Sequence, residues 1–187
     1  MQGDPIMLTT ILRYGAIAGL VAGGGLSAAV LASDGHGAGS MVLGYLIMLV
    51  AFATIPVAIK RRRDREGGGV IGFWPALGLG LGISLVAGVI YVAAWETTMA
   101  VTGMDFARDY AKALVAQKRA AGASAAEIAA FQREMAAFQA SYADPLYRWP
   151  MTFAEIFPVG LLVSLISATA LRRPGFLRAR RAVQTTA

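Results

Sequence analysis

The sequence contains no cysteine and a single histidine, His36. Without a thiol group the chain can form no disulfide and no thiolate metal site, and thiol catalysis is excluded. A multi-histidine metal spacing and a Ser–His–carboxylate arrangement are also missing. His36 lies in the segment "SDGHGAG", where we interpret it as a solvated loop residue rather than a ligand. These absences predict a protein that is not an enzyme, with no metal and no cofactor.

Charged residues are scarce, at 15% of the chain, whereas hydrophobic residues make up 57%. Typical soluble domains are about a quarter charged and about half apolar, so this chain has too few charges to cover a globule in water. The charges occur in blocks, and four stretches contain no Asp, Glu, Lys or Arg: residues 14–33, 35–59, 70–95 and 156–171. Each stretch reaches, or can be extended to, the roughly 20 residues that a membrane-spanning helix needs.

We therefore predict an all-α fold, an integral membrane bundle of four transmembrane helices that forms a single domain over residues 1–187. The spans are expected at about 12–33, 41–59, 73–95 and 152–171. The first could alternatively be a secretory signal, but an apolar run of about 20 residues exceeds the usual length of such a segment. Ionisable residues are missing from the middle of the spans, which argues against a proton relay.

The segment "AIKRRRDREGGG" places a block of basic residues between the second and third spans. Lys and Arg are retained on the cytoplasmic side of a membrane, so an even number of spans puts both termini in the cytoplasm. This topology leaves a net charge of +8 inside and −2 outside. A phosphate-binding loop is excluded because its Gly-x4-Gly-Lys order is absent, and membrane-flanking charge explains the basicity without nucleic acid.

The basic block is first of all a topology anchor. A second interpretation is an anionic-lipid contact that the block shares with the basic C-terminal tail. Its residues would be Lys60, Arg61, Arg62, Arg63, Arg65, Arg172 and Arg173.

Residues of about 104–143, between the third and fourth spans, are predicted to form an extracytoplasmic helical hairpin. Phe106, Tyr110 and Leu114 recur at helical spacing, and Gly122 is a natural stop. Ser124 and Glu127 then form an S-x-x-E capping signal ahead of a second helix. The aromatic stripe favours two short helices that pack on each other or on the membrane surface, with a partner-binding groove as the alternative.

Small residues recur at four-residue spacing in three of the spans, a pattern typical of helices that approach each other closely in lipid. The spacing leaves open whether the contact lies inside one bundle or between subunits. The residues are Gly15, Gly19, Gly23 and Ser27, then Gly78 and Gly82, then Gly160, Ser164 and Ala168.

Glu96 and Glu155 form the candidate functional site, a pair of carboxylates predicted to lie close together at the outer membrane boundary. Thr152 and Glu155 also match a T-x-x-E capping box, which would explain Glu155 locally. Glu96 is expected at a helix C-terminus, where the helix dipole disfavours a carboxylate and a partner is needed. Candidate partners are Arg148, Arg108 or a cation shared with Glu155.

Three segments carry a family resemblance: "MVLGYLIMLVAFATIPVAIKRRRDREGGGVIGFWPAL", "YVAAWETT" and "TFAEIFPVGLLVSLISA". They resemble the bacterial membrane proteins grouped as domain of unknown function 4199. The resemblance implies four spans and a bacterial inner membrane, and it implies no known activity; His36 lies outside the pattern. The matching positions are Gly44, Tyr45, Met48, Arg63, Asp64, Gly68, Gly69, Phe73, Tyr91, Trp95, Glu96, Phe153, Glu155, Pro158 and Gly160.

Two functions are compatible with these features. The first is a non-enzymatic scaffold or regulatory partner in the bacterial envelope, in contact with membrane lipids and with either a second copy or another envelope protein. The alternative is a small oligomeric transporter or ion-linked membrane protein with an outer mouth lined by Glu96 and Glu155.

Overall fold

A computed structural model describes residues 5–32, 41–173 and 175–177. Within these ranges the regular structure is entirely helical, without a strand. His36 and the basic residues beyond position 177 lie outside the described residues. The seven helical segments are α1 (Pro5–Ala32), α2 (Met41–Phe52), α3 (Thr54–Arg65), α4 (Phe73–Thr102), α5 (Phe106–Ala120), α6 (Ala125–Tyr142) and α7 (Pro145–Leu171).

Among the described residues, four helices are long and apolar enough to cross a membrane: α1, the stretch Val42–Arg65 formed by α2 and α3, α4 and α7. The predicted all-α class and the presence of four helices able to span a membrane are confirmed for this part of the chain. Each helix extends beyond its predicted span at one or both ends, and α4, for example, contains 30 residues. At about 1.5 Å per residue, it is roughly 45 Å long, against a hydrocarbon core of about 30 Å. Charge-free runs mark only the part of a helix that lies in lipid, because the backbone continues to hydrogen-bond beyond it.

The second span is interrupted at Ala53, between α2 and α3. Pro56 explains the interruption, because its nitrogen has no hydrogen to donate to the carbonyl of Phe52 one turn earlier. The Thr54 hydroxyl donates to the carbonyl of Ala51 at 2.8 Å. The interruption of the helix at Ala53 therefore has an identifiable cause in the sequence.

Helix α4 lies at the centre of the bundle, in contact with α1, α3 and α7. Against α1 the fit is very close, since a Cβ atom added to Gly19 would lie 2.6 Å from the Cβ of Ile90. Against α7, a Cβ at Gly80 would lie 2.6 Å from the Ser164 hydroxyl, and one at Gly160 would lie 2.5 Å from that of Ser84. Glycine at these positions lets the helix backbones approach each other.

Helices α5 and α6 pack against each other, with the rings of Tyr110 and Phe138 6.1 Å apart. The turn between them contains Gly122 at a φ of 82°, a left-handed conformation that glycine adopts readily. The capping signal predicted for α6 is confirmed, because the Ser124 hydroxyl accepts from the Glu127 N–H while the Glu127 carboxylate accepts from the Ser124 N–H. The side of the membrane on which α5 and α6 lie stays a prediction.

The start of α7 differs from the sequence-based prediction. The helix begins at Pro145, two turns before the expected span, and the Asp144 carboxylate caps it by accepting from the Leu146 N–H at 2.9 Å. Proline is well tolerated in the first helical turn, which suits Pro145, and Pro150 also lies inside the helix. Thr152 is therefore an interior residue, and the capping-box explanation of Glu155 is wrong.

Candidate functional site

Glu96 and Arg148 form a two-pronged ion pair. Arg148 donates from Nε to Oε1 of Glu96 at 2.6 Å and from Nη2 to Oε2 at 2.7 Å. This parallel geometry is the strong form of an arginine–carboxylate pair, because both oxygens receive a charged donor. Arg148 is thus the partner of Glu96, whereas Arg108 pairs locally with Asp109 of α5 and with Asp105, the residue that caps this helix.

The predicted position of Glu96 at a helix C-terminus is wrong, since α4 continues to Thr102. Gly103 ends the helix at a φ of 64°, and the residues between Glu96 and Gly103 contain neither glycine nor proline to end it earlier. Glu96 and Arg148 pair for a reason other than the dipole of α4. Arg148 lies in the first turn of α7, where the helix dipole disfavours a cation, and the Glu96 carboxylate compensates that charge.

The same guanidinium also holds the end of α6. Arg148 Nη1 donates to the Tyr142 carbonyl at 2.9 Å, and its guanidinium carbon lies 5.6 Å from the centroid of the Tyr142 ring. Tyr142 is the last residue of α6. One side chain therefore connects α4, α6 and α7.

Trp95 makes a second connection between α4 and α6, because its indole Nε1 donates to the Tyr142 hydroxyl at 2.8 Å. The Trp95 ring also meets Phe106 of α5 edge-on, with centroids 5.1 Å apart. A buried tryptophan with a satisfied N–H combines a large apolar contact with a directional bond. Together Trp95, Glu96, Phe106, Tyr142 and Arg148 form what we call the junction cluster.

Glu155 is exposed on the surface of α7 and does not share a hydrogen bond with Glu96 in the described part of the chain. Burial raises the pKa of the Tyr142 phenol, while the hydrogen bond from Trp95 and the charge of Arg148 act against this rise. Whether Glu96 and Glu155 function as one site stays a prediction.

A metal held by the two glutamates would need further ligands. Among the described residues, no group of three or more His, Cys, Asp or Glu side chains could hold a metal ion. What the junction cluster can do is mechanical: it fixes α5 and α6 to the ends of two spans through charged and indole hydrogen bonds.

The basic residues at the opposite end of the bundle divide into two groups. Arg63 is only 2% exposed, and it donates to the carbonyls of Phe176 and Leu177 at 2.7 Å each and to Asp64 at 2.9 Å. All three nitrogens of its guanidinium group donate hydrogen bonds within the protein, so we remove Arg63 from the predicted lipid-contact set.

The other basic residues of that set lie nearer to the surface. Lys60 pairs with Asp64, and Arg62 pairs with Glu66 at 3.4 Å. The guanidinium of Arg172 lies 5.9 Å from the Phe73 ring centroid. Arg61, Arg65 and Arg173 are exposed. Lipid contact by these six residues stays a prediction.

Sequence reasoning missed the roles of Tyr142 and Arg63. Nothing in the sequence spacing of Tyr142 indicates that Trp95 and Arg148 both bind it. For Arg63 the sequence does contain a signal, because Ile55, Ile59 and Arg63 recur at four-residue spacing and therefore share one face of α3. In the structure all three side chains are buried. A basic residue in register with two apolar residues on one helix face is expected to point inward.

The family of the chain can be identified. The family model described as "Protein of unknown function (DUF4199)" matches residues 13–173, which is most of the chain. The protein therefore belongs to this family. Neither the search of curated proteins nor the search of solved structures returned a match.

Proposed function

We propose that this DUF4199 protein is a non-enzymatic scaffold or regulatory partner in the bacterial inner membrane, and that α5 and α6 hold an envelope protein. The observation that carries the proposal is the junction cluster. A hairpin that only filled space between two spans would not need a bidentate Arg148–Glu96 pair and an indole hydrogen bond to Tyr142. A binding surface that is already fixed loses less conformational entropy when a partner docks, so binding is stronger.

The surface that suits a partner is a groove between α5 and α6. The groove has a volume of about 360 Å³, and its charged lining residues are all basic: Arg108, Lys112 and Arg119. Gln132 and Gln139 contribute amide groups from the α6 side. Lys112 and Arg108 also contact Asp109, but such exposed pairs are weak and can be replaced by a partner's carboxylates.

Charge complementarity therefore favours an acidic segment as the occupant of this groove. The predicted topology would place this groove outside the cytoplasm. The alternative of a small oligomeric transporter with an outer mouth lined by Glu96 and Glu155 is less well supported, because Arg148 already neutralises Glu96.

The test is site-specific photo-crosslinking in native membranes, with the photoreactive residue placed at Lys112 or Gln132. Ala137 is the matched control, because it is an exposed residue of α6 on a different face from Gln132. We expect a discrete adduct from the two groove positions and none from Ala137. The adduct from Gln132 should be lost with Arg119→Glu, which reverses the charge of the groove. Equal labelling at all three positions, or no loss with Arg119→Glu, would contradict the proposal.

A further inference from the structure

A second cleft lies between the N-terminal part of α1 and the C-terminal end of α3, with a volume of about 360 Å³. Four arginines line it, and a single glutamate accompanies them. These charged lining residues are Arg13, Arg61, Arg62, Arg65 and Glu66. The described lining residues therefore carry three more positive than negative charges, which favours an anion as the occupant of the cleft.

The charges in the cleft are held by neighbouring groups. The Arg61 Nη1 donates to the Tyr14 hydroxyl at 3.0 Å, and Arg62 contacts Glu66 at 3.4 Å. Tyr14 belongs to α1 and Arg61 to α3, so the hydrogen bond joins the two walls. Pre-positioned guanidinium groups present their donors in the planar arrangement that matches the oxygens of a phosphate.

The two threonine hydroxyls in the cleft are less available as donors. Thr9 donates to the Pro5 carbonyl at 2.9 Å, and Thr10 donates to the Ile6 carbonyl at 2.8 Å. Recognition of a ligand would therefore depend on the arginines and on the Tyr14 hydroxyl, which accepts from Arg61 and keeps its own hydrogen. This favours a strongly charged anion over a neutral polar molecule such as a sugar.

The cleft lies where apolar helix meets charged helix. Arg13 directly precedes the charge-free run of α1, and Arg61 follows the last apolar residue of α3, Ile59, by two positions. Headgroup phosphates of a bilayer lie at this boundary of a spanning helix. A volume of about 360 Å³ also exceeds what inorganic phosphate needs and falls in the range of about 300–1,000 Å³ that is usual for small-molecule sites.

We propose that the α1–α3 cleft is a binding site for a phosphate group, supplied either by an anionic lipid headgroup or by a soluble phosphate compound. This site differs from the lipid-contact set of the sequence analysis, since it gains Arg13 and Tyr14 of α1 and does not include Arg63. It is also independent of the groove on α5 and α6 and would persist if no partner protein bound there.

The experiment uses the full-length protein in detergent and four probes: phosphatidylglycerol, phosphatidylcholine, inorganic phosphate and glycerol phosphate. Native mass spectrometry measures lipid binding, and the shift in melting temperature measures binding of the soluble anions. Saturable binding of phosphatidylglycerol in preference to phosphatidylcholine identifies a lipid source. Saturable stabilisation by either soluble anion identifies a soluble source.

Arg13→Gln is the test variant, and Arg133→Gln is its control, because Arg133 is an exposed arginine outside the cleft and outside the predicted lipid-contact set. We expect Arg13→Gln to weaken binding of the bound probe about tenfold, and Arg133→Gln to leave it within about twofold. Arg13→Lys keeps the charge but loses the two-pronged geometry, and it should give an intermediate loss.

Arg65→Gln provides a second test if Arg13→Gln lowers the melting temperature without any ligand, because Arg65 is exposed at the end of α3. Binding that weakens equally in the cleft variant and in Arg133→Gln would overturn the proposal and leave only general attraction to a basic surface. The absence of saturable binding for all four probes would overturn it as well.

Discussion

The buried guanidinium of Arg63 donates a hydrogen bond of 2.7 Å to the carbonyl of Phe176, which follows the end of α7. A second bond of the same length reaches the carbonyl of Leu177. Leu177 has a φ of 49°, in the left-handed region that costs a residue other than glycine roughly 1–2 kcal/mol. The two charged hydrogen bonds offset this strain and attach the chain after the fourth span to the end of the second.

Arg63→Ala should therefore destabilise the protein by about 2 kcal/mol or more, because two carbonyls lose a charged donor. Thermal unfolding in detergent measures the effect, with Arg173→Ala as a control that removes an exposed arginine. We expect the control to change stability by less than about 0.5 kcal/mol. Similar losses for both variants would show that the contact with Phe176 and Leu177 contributes nothing specific.

The pair formed by Glu96 and Arg148 is expected to be energetically coupled. In a double-mutant cycle with Glu96→Gln and Arg148→Gln, each single change leaves a partly buried charge without its partner, and the double change removes both charges. We expect a coupling of about 1 kcal/mol or more in the free energy of unfolding.

The corresponding cycle between Glu96→Gln and Glu155→Gln tests whether the two carboxylates share a site. Because Arg148 occupies both oxygens of Glu96, we expect this coupling to be smaller than that with Arg148, and added divalent cations should leave it unchanged. A larger coupling with Glu155, or one that depends on divalent cations, would instead support a cation site shared by the two glutamates.

The spans could be predicted from the sequence because lipid imposes a simple requirement: a helix that crosses it carries few charges over about 20 residues. The start of α7 and the C-terminal end of α4 could not be predicted from the sequence. "ADPLYRWP" is compatible with a turn and with a helix that starts at Asp144 and Pro145, and only packing against the rest of the bundle decides between them. Glu96 likewise depends on Arg148, a residue 52 positions away in the chain.

The orientation of the protein can be tested with an impermeant thiol reagent, since the chain has no native cysteine. A cysteine at Ala123, between α5 and α6, should be labelled from outside intact cells, and one between the second and third spans should not. For the cysteine between the second and third spans we choose Val70 instead of Gly68, because Gly68 has a φ of 58° and a side chain there would be strained. Labelling at Val70 without labelling at Ala123 would invert the predicted topology.

Close packing between α1 and α4 gives the last prediction. A Cβ atom at Gly19 would lie 2.6 Å from the Ile90 Cβ and 3.1 Å from the Ala87 carbonyl oxygen, so even alanine would force the two helices apart. Gly24 is a matched control in the same helix, because it is exposed and a Cβ added there would meet nothing within 4 Å. The two glycines thus separate the effect of packing from that of helix propensity.

We expect Gly19→Leu to lower the free energy of unfolding by more than about 2 kcal/mol, since overpacking a close contact shifts the backbone. Gly24→Leu should be neutral or stabilising by up to about 1 kcal/mol, because glycine disfavours a helix interior. Thermal unfolding in detergent, with oligomer mass measured in parallel, provides the comparison. If both variants unfold alike, the approach of α1 to α4 at Gly19 does not contribute to stability; if Gly24→Leu changes the oligomer mass, the exposed face of α1 is in contact with a second copy instead of lipid.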